Sequence, residues 1–233
     1  EFISDYIDQK DFFLETIQKF SLGNPKLHSL LVKLKQYNLA LENLLELKEL
    51  DFPDTAFVYL ELGNTYKLLG DNQSALEHFR IAEEVAQKEA LVSVYNSIAL
   101  LKFEQKNYKE AKSYFRKTSK LLENFADEDS EFKSQLASAY LSLGLAYEAL
   151  HDWEPTERFF ERCKNIREEV FQNPSIPLAD IYNHLGRHHK TMGNFRHSER
   201  FYLKSKKTRE LLVHKTHLDL ASDFESLGCL YMN

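Results

Sequence analysis

Residues 56–82, AFVYLELGNTYKLLGDNQSALEHFRIA, leave the chain few ways to fold. Tyr59, Leu62, Gly63 and Tyr66 fall at i, i+3, i+4 and i+7, so they share one face of a helix. Leu69-Gly70-Asp71-Asn72 ends that helix. Gly70 suits the left-handed residue just past a helix end, and Asp71 or Asn72 can cap the next helix. Ala75, Phe79 and Ala82 then form the buried stripe of a second helix. Gly63 and Ala75 are small enough for the two helices to pack closely, and Phe79 fills the space beside them. One such hairpin cannot bury its apolar face alone, so it predicts an array of like units.

The same spacing recurs along the chain. The unit at 56–88 is followed by one at 89–125, with Tyr95, Ile98-Ala99, Ala111 and Phe115, and Lys106-Asn107 at the turn. The unit at 130–172 carries Tyr140, Leu143-Gly144, Tyr147, Thr156 and Phe160, turning at His151-Asp152. Pro155 falls in the first turn of its second helix, where proline is tolerated, and Trp153 is placed at the bend. The unit at 177–214 carries Tyr182, Leu185-Gly186, His189, Ser198 and Tyr202, turning at Met192-Gly193-Asn194. Residues 217–233, with Phe224, Leu227-Gly228 and Tyr231, read as the first helix of a further unit or a capping helix. Residues 1–55 read as an N-terminal capping helix and a degenerate repeat: a helix over 1–22, a break at Leu22-Gly23-Asn24-Pro25, and a helix over 26–50 bearing Tyr37, Ala40, Leu44 and Leu47. The small residue recurs at 63, 99, 144, 186 and 228, in steps of 36, 45, 42 and 42. The longer steps predict longer helices or links in the second half, where residues 120–133, KLLENFADEDSEFK, form an acidic link.

An aromatic, two residues, Leu-Gly, two residues, Tyr, then Ala, three residues, Phe resembles the tetratricopeptide repeat. That resemblance implies an all-α fold, a right-handed α-solenoid of antiparallel helix hairpins in one continuous domain. Over residues 130–233 the chain resembles the kinesin light chain type of this repeat, through Ile166-Arg167-Glu168-Glu169-Val170, Leu178-Ala179, Asn183-His184-Leu185-Gly186 and His217-Leu218-Asp219-Leu220-Ala221. The resemblance further implies that first helices line a groove that binds a peptide or protein. In that register the groove residues are Asn64 and Lys67; Asn96, Leu100 and Phe103; Leu141, Leu145 and Glu148; and Asn183, His184, Arg187 and Lys190. Asn96 and Asn183 occupy equivalent places, where an amide can donate to and accept from an extended backbone. The carboxylate clamp of co-chaperone relatives is not expected, because Leu60, Ser138 and Ser142 stand where cationic or amide groups are needed.

Composition narrows the function classes. Thirty Lys and Arg against 36 Asp and Glu give a net charge of −6, which argues against nucleic acid as the main partner. Arg187-His188-His189-Lys190, with Arg196, His197 and Arg200 nearby, is the most basic run and could steer an acidic segment. Cys163 and Cys229 show no disulfide or metal spacing, and no long apolar run predicts membrane insertion; a reducing, cytoplasmic setting is expected. His184 and His188 are spaced i, i+4 without a third suitably spaced ligand, so no metal is expected. No cofactor is expected either: there is no phosphate loop, nucleophile elbow or cysteine beside a base, so the chain does not read as an enzyme. The expectation is a non-catalytic scaffold or adaptor for a protein or peptide partner. A peptide-sensing domain of a larger regulator, or a bacterial effector scaffold, is the alternative.

Overall fold

A computed structural model describes residues 25–50, 52–125, 129–170, 174–212 and 218–231. The helix expected over 1–22 lies outside them. The described residues form α1 (Pro25–Lys33), α2 (Tyr37–Glu49), α3 (Thr55–Leu68), α4 (Asn72–Val85), α5 (Lys88–Glu104), α6 (Tyr108–Glu123), α7 (Ser130–Ala149), α8 (Trp153–Val170), α9 (Ile176–Thr191), α10 (Phe195–Leu212) and α11 (Leu218–Tyr231). The fold is all-α and of the solenoid class, built from antiparallel hairpins. The chain divides into two compact units, Glu1–Leu101 and Lys102–Asn233, with the boundary inside α5. In the first, α1 pairs with α2 and α3 with α4; in the second, α7 pairs with α8 and α9 with α10, and α11 lies on α10.

The hairpins share one turn. Gly70, Lys106, His151 and Gly193 all have positive φ, as does Lys35. At each, the next residue's N–H reaches back five residues to a carbonyl: Gln36 to Leu31, Asp71 to Tyr66, Asn107 to Lys102, Asp152 to Tyr147 and Asn194 to His189. This is the Schellman closure, which satisfies carbonyls that a helix end leaves unpaired. Asp71 and Asn107 then cap the following helices, accepting from the N–H of Ser74 at 3.1 Å and of Glu110 at 3.4 Å. Residues 26–50, expected as one helix, are instead two. Lys35 (φ 58°) turns the chain between α1 and α2, although neither Gly nor Pro marks the place.

A left-handed conformation costs a residue with a Cβ roughly 1–2 kcal/mol, partly offset by glycine's freedom in the unfolded chain. Lys106→Gly (φ 60° in the native chain) is therefore expected to stabilise the protein by about 0.5–1 kcal/mol. A raised urea midpoint at constant slope checks it, and a lowered one would contradict the turn geometry.

The later repeats are lengthened both in their helices and in the links between hairpins, which run from 124 to 129 and from 171 to 175 against 86 to 87 between α4 and α5. α3 and α4 have 14 residues each, whereas α7, α8, α9 and α10 have 20, 18, 16 and 18. Hairpin packing is close at the repeated glycine. A Cβ on Gly63 would lie 2.4 Å from ring carbons of Phe79, and one on Gly144 2.4 Å from those of Phe160. Phe79 and Phe160 are fully buried.

Successive hairpins of the second unit are also tied by the repeat's first aromatic. The Tyr140 hydroxyl donates to Glu123 at 2.7 Å, and the Tyr182 hydroxyl donates to Glu168 at 2.8 Å. Burial, reinforced by the bond to Glu123, pushes the Tyr140 phenol up to about 12.

Candidate functional site

In the second unit, α7 and α9 are the first helices of successive hairpins and α11 follows them in the same register, and their repeat positions meet in a regular way. Counting from Gly144, Gly186 and Gly228, the residue four places on in one helix reaches the residue one place on in the next. Arg187 Nη2 thus donates to Glu148 Oε2 at 2.7 Å, joining α9 to α7. Lys190 Nζ donates to the Cys229 carbonyl at 3.2 Å, joining α9 to α11. Asn183 Nδ2 donates to Ser226 Oγ at 3.5 Å on the same side. Four of the residues expected in the groove, Glu148, Asn183, Arg187 and Lys190, therefore form one polar row across α7, α9 and α11. The row is reachable: the Arg187 side chain is 49% exposed and that of Glu148 19%. An ion pair this open stabilises by about 0.2–1 kcal/mol, little enough for a competing charge to replace either member.

His184 stands at the inner edge of the row. Its Nδ1 lies 3.2 Å from Arg187 Nη2. A guanidinium only donates, so Nδ1 accepts and the neutral ring carries its proton on Nε2. The imidazole ring is 5.6 Å from the ring of Phe160 on α8. Burial lowers its pKa to about 4, and the charges of Arg187, Arg167 and Arg209 act in the same direction.

The apolar candidates are placed less uniformly. Leu141 and Leu145 are half-buried on α7. Phe103 is half-buried with its ring 5.1 Å from that of Tyr108 and 6.4 Å from that of Phe115, so much of it serves the α6 hairpin.

The first unit has its own polar group on first helices. Asn64 Nδ2 donates to Glu61 at 3.2 Å, and His28 Nε2 of α1 lies 3.1 Å from the other oxygen of the same carboxylate. Lys67 and Asn96 are half-buried, and Leu100 is exposed.

Sequence reasoning missed His28 and Glu61. His28 sits in the worn first repeat, where no register could be assigned. It also missed two buried cations. Arg167 Nη1 donates to the Pro177 carbonyl at 2.5 Å, and Arg209 Nη2 donates to Asp180 Oδ1 at 2.6 Å. Both are over nine-tenths buried and they stand 42 residues apart, one repeat step. That periodicity was the available signal. Arg167 ties α8 to the first turn of the following helix α9, and Arg209 ties α10 back to α9, the first helix of its own hairpin.

The basic run 187–190 is split by the packing. His188 and His189 are buried; His189 stacks on Phe201 with rings 5.4 Å apart and 7° from parallel, taking the place of a core aromatic. Trp153 lies at the α7–α8 bend, edge-on to His151 at 5.5 Å. Cys163 is buried, which pushes its thiol up to about 11. Among the described residues, no group of three His, Cys, Asp or Glu is arranged to hold a metal ion, and no helix is long and apolar enough to cross a membrane.

Comparison with known proteins agrees with this geometry. No curated protein matches the sequence. Among solved structures, BtubC (BKLC) from P. vanneervenii is similar with a TM-score of 0.70 at 16% identity, over 85% of this chain and 81% of that one. Repeats of a putative kinesin light chain from Podosopora anserina give 0.65 at 15% identity, over 82% of this chain and 95% of that one. A STAND protein with a tetratricopeptide repeat sensor from Pyrococcus horikoshii gives 0.69 at 15% identity, over 89% of this chain and 33% of that one. At such identities the likeness is one of fold. Two family models, each described as tetratricopeptide repeat, match residues 54–124 and 136–175. With hairpins, turns and glycine–aromatic packing repeating in that register, the chain carries tetratricopeptide repeats over these residues.

Proposed function

We propose that the protein is a non-catalytic, cytoplasmic adaptor whose first-helix faces hold an extended segment of a protein partner. Tetratricopeptide repeats are protein-interaction scaffolds, and the observation that carries the finer reading is the polar row Glu148–Arg187, Asn183 and Lys190 across α7, α9 and α11. Its members are held at fixed spacing yet joined by bonds that a ligand can exchange. An incoming carboxylate takes the place of Glu148 on Arg187. The Asn183 amide pairs with a partner's backbone, and Leu141 and Leu145 beside it supply apolar contact. The first unit offers Asn64, Lys67, Asn96 and Leu100 as a separate set, with Asn96 in the place equivalent to Asn183.

Affinity capture from a lysate of the source organism, read by mass spectrometry, tests this. Wild-type protein is compared with Asn183→Ala/Arg187→Glu and with Asn64→Ala/Asn96→Ala, each shown to be folded by circular dichroism. A partner lost with the first pair of substitutions supports the second-unit row. Retention of every partner by both variants would move recognition away from these faces.

A further inference from the structure

The outward side of α10 carries a different surface. Ser198, Tyr202, Ser205 and Arg209 are the buried residues of this helix, at i, i+4, i+7 and i+11. Arg196, Arg200, Leu203, Lys207 and Leu211 follow an equally regular spacing about half a turn away, and all five are exposed. Leu203 is 47% exposed and Leu211 66%. The other cations of the helix are spoken for: Lys206 pairs with Glu210, Lys204 with Glu168, and Arg209 with Asp180. Arg196, Arg200 and Lys207 form no such pair among the described residues. Glu199, beside Arg200, accepts from the Tyr231 hydroxyl of α11, and Glu210 pairs with Lys206; neither forms an ion pair with Arg196, Arg200 or Lys207 among the described residues. Arg196, Glu199, Arg200, Leu203, Lys204 and Lys207 line a hollow of about 330 Å³.

Two features separate this stripe from a solvated helix face. Three unneutralised cations lie in one row on a chain whose net charge is −6. Two leucines are interleaved with them at helical spacing, where water gains nothing from their exposure. We infer that the outward face of α10 is a docking surface for an acidic amphipathic segment of a partner protein. The segment's carboxylates meet Arg196, Arg200 and Lys207, and its apolar side chains cover Leu203 and Leu211. This surface is independent of the first-helix row. A partner could engage one without the other.

The test uses the whole chain and three fluorescein-labelled probes. One is a helical peptide of about 18 residues with Glu and Leu on one face; the second has Ser in place of its Leu; the third is an oligo-dT of about 20 nucleotides. Fluorescence anisotropy is read at low and at physiological salt. The expected result is binding of the first peptide that weakens with salt. Arg200→Glu/Lys207→Glu and Leu203→Ser each reduce it by about tenfold or more, and the Ser peptide and oligo-dT bind at least about tenfold less tightly. All three positions are exposed, and unchanged Trp153 fluorescence together with the milder Arg196→Gln/Arg200→Gln variant guards against misfolding. No binding, binding unaffected by these substitutions, or oligo-dT binding as tightly as the peptide would each overturn the inference.

Discussion

Phe160→Ala is expected to destabilise the second unit by about 3–5 kcal/mol, the range for deleting a buried ring. Phe160 is fully buried, with Gly144 beneath one face of its ring and His184 and His188 at 5.6 and 6.4 Å from its centre. Deleting the ring removes the group on which Gly144 packs and leaves a cavity between α7 and α8. Urea unfolding followed by Trp153 fluorescence reads the loss directly, since Trp153 is the only tryptophan and opens α8 at its bend from α7. The pairing supplies a second readout. Gly144→Ala alone places a methyl 2.4 Å from the ring and is expected to cost about 1–3 kcal/mol through overpacking. In the double variant that methyl enters the cavity left by Phe160, so the combined cost falls well below the sum. Additive costs would show that the two positions do not pack on each other.

The second unit is also expected to lose stability on mild acidification. His184 has a pKa of about 4 in the folded protein against an ordinary 6.5. The unfolded chain therefore binds more protons between these values, and stability rises with pH across that window. The contribution is complete above about pH 6.5 and is lost as pH falls toward 4. The shift corresponds to at most about 3 kcal/mol. Burial against Phe160 is the main cause, and Arg187, Arg167 and Arg209 oppose the imidazolium from the same side. Lowered pKa at buried His189 acts in the same direction. Urea midpoints at pH 7, 5.5 and 4.5 should fall more steeply for the wild type than for His184→Gln, which cannot titrate. Parallel curves would remove His184 from this role.

The hairpin frame was legible because its physics is local. Gly63, Gly144 and Gly186 permit a close approach, the aromatic sixteen residues later fills it, and Gly70 and Gly193 mark turns by composition alone. Lys106 and His151 could be placed at turns only because the repeat register pointed to them; a lone Lys or His carries no such signal. At Lys35 the register was missing, and the break between α1 and α2 went unseen. Candidate site residues were legible as positions, through the same register. Their pairing was not, since Glu148 and Arg187 meet only when successive hairpins stack, through α9 on α8. Nor did local pattern distinguish Phe103, spent largely on its own hairpin, from a free anchor. Arg167 and Arg209 show the converse limit: a buried guanidinium reads as a surface cation until its hydrogen-bond partners are known.

The most direct test of the account is hydrogen–deuterium exchange of the protein with and without a captured partner. Binding on the first-helix face predicts slowed exchange in α9, together with α7 or α11, and loss of that protection in Asn183→Ala/Arg187→Glu. Protection confined to α8 and α10, or unchanged by those substitutions, would contradict it.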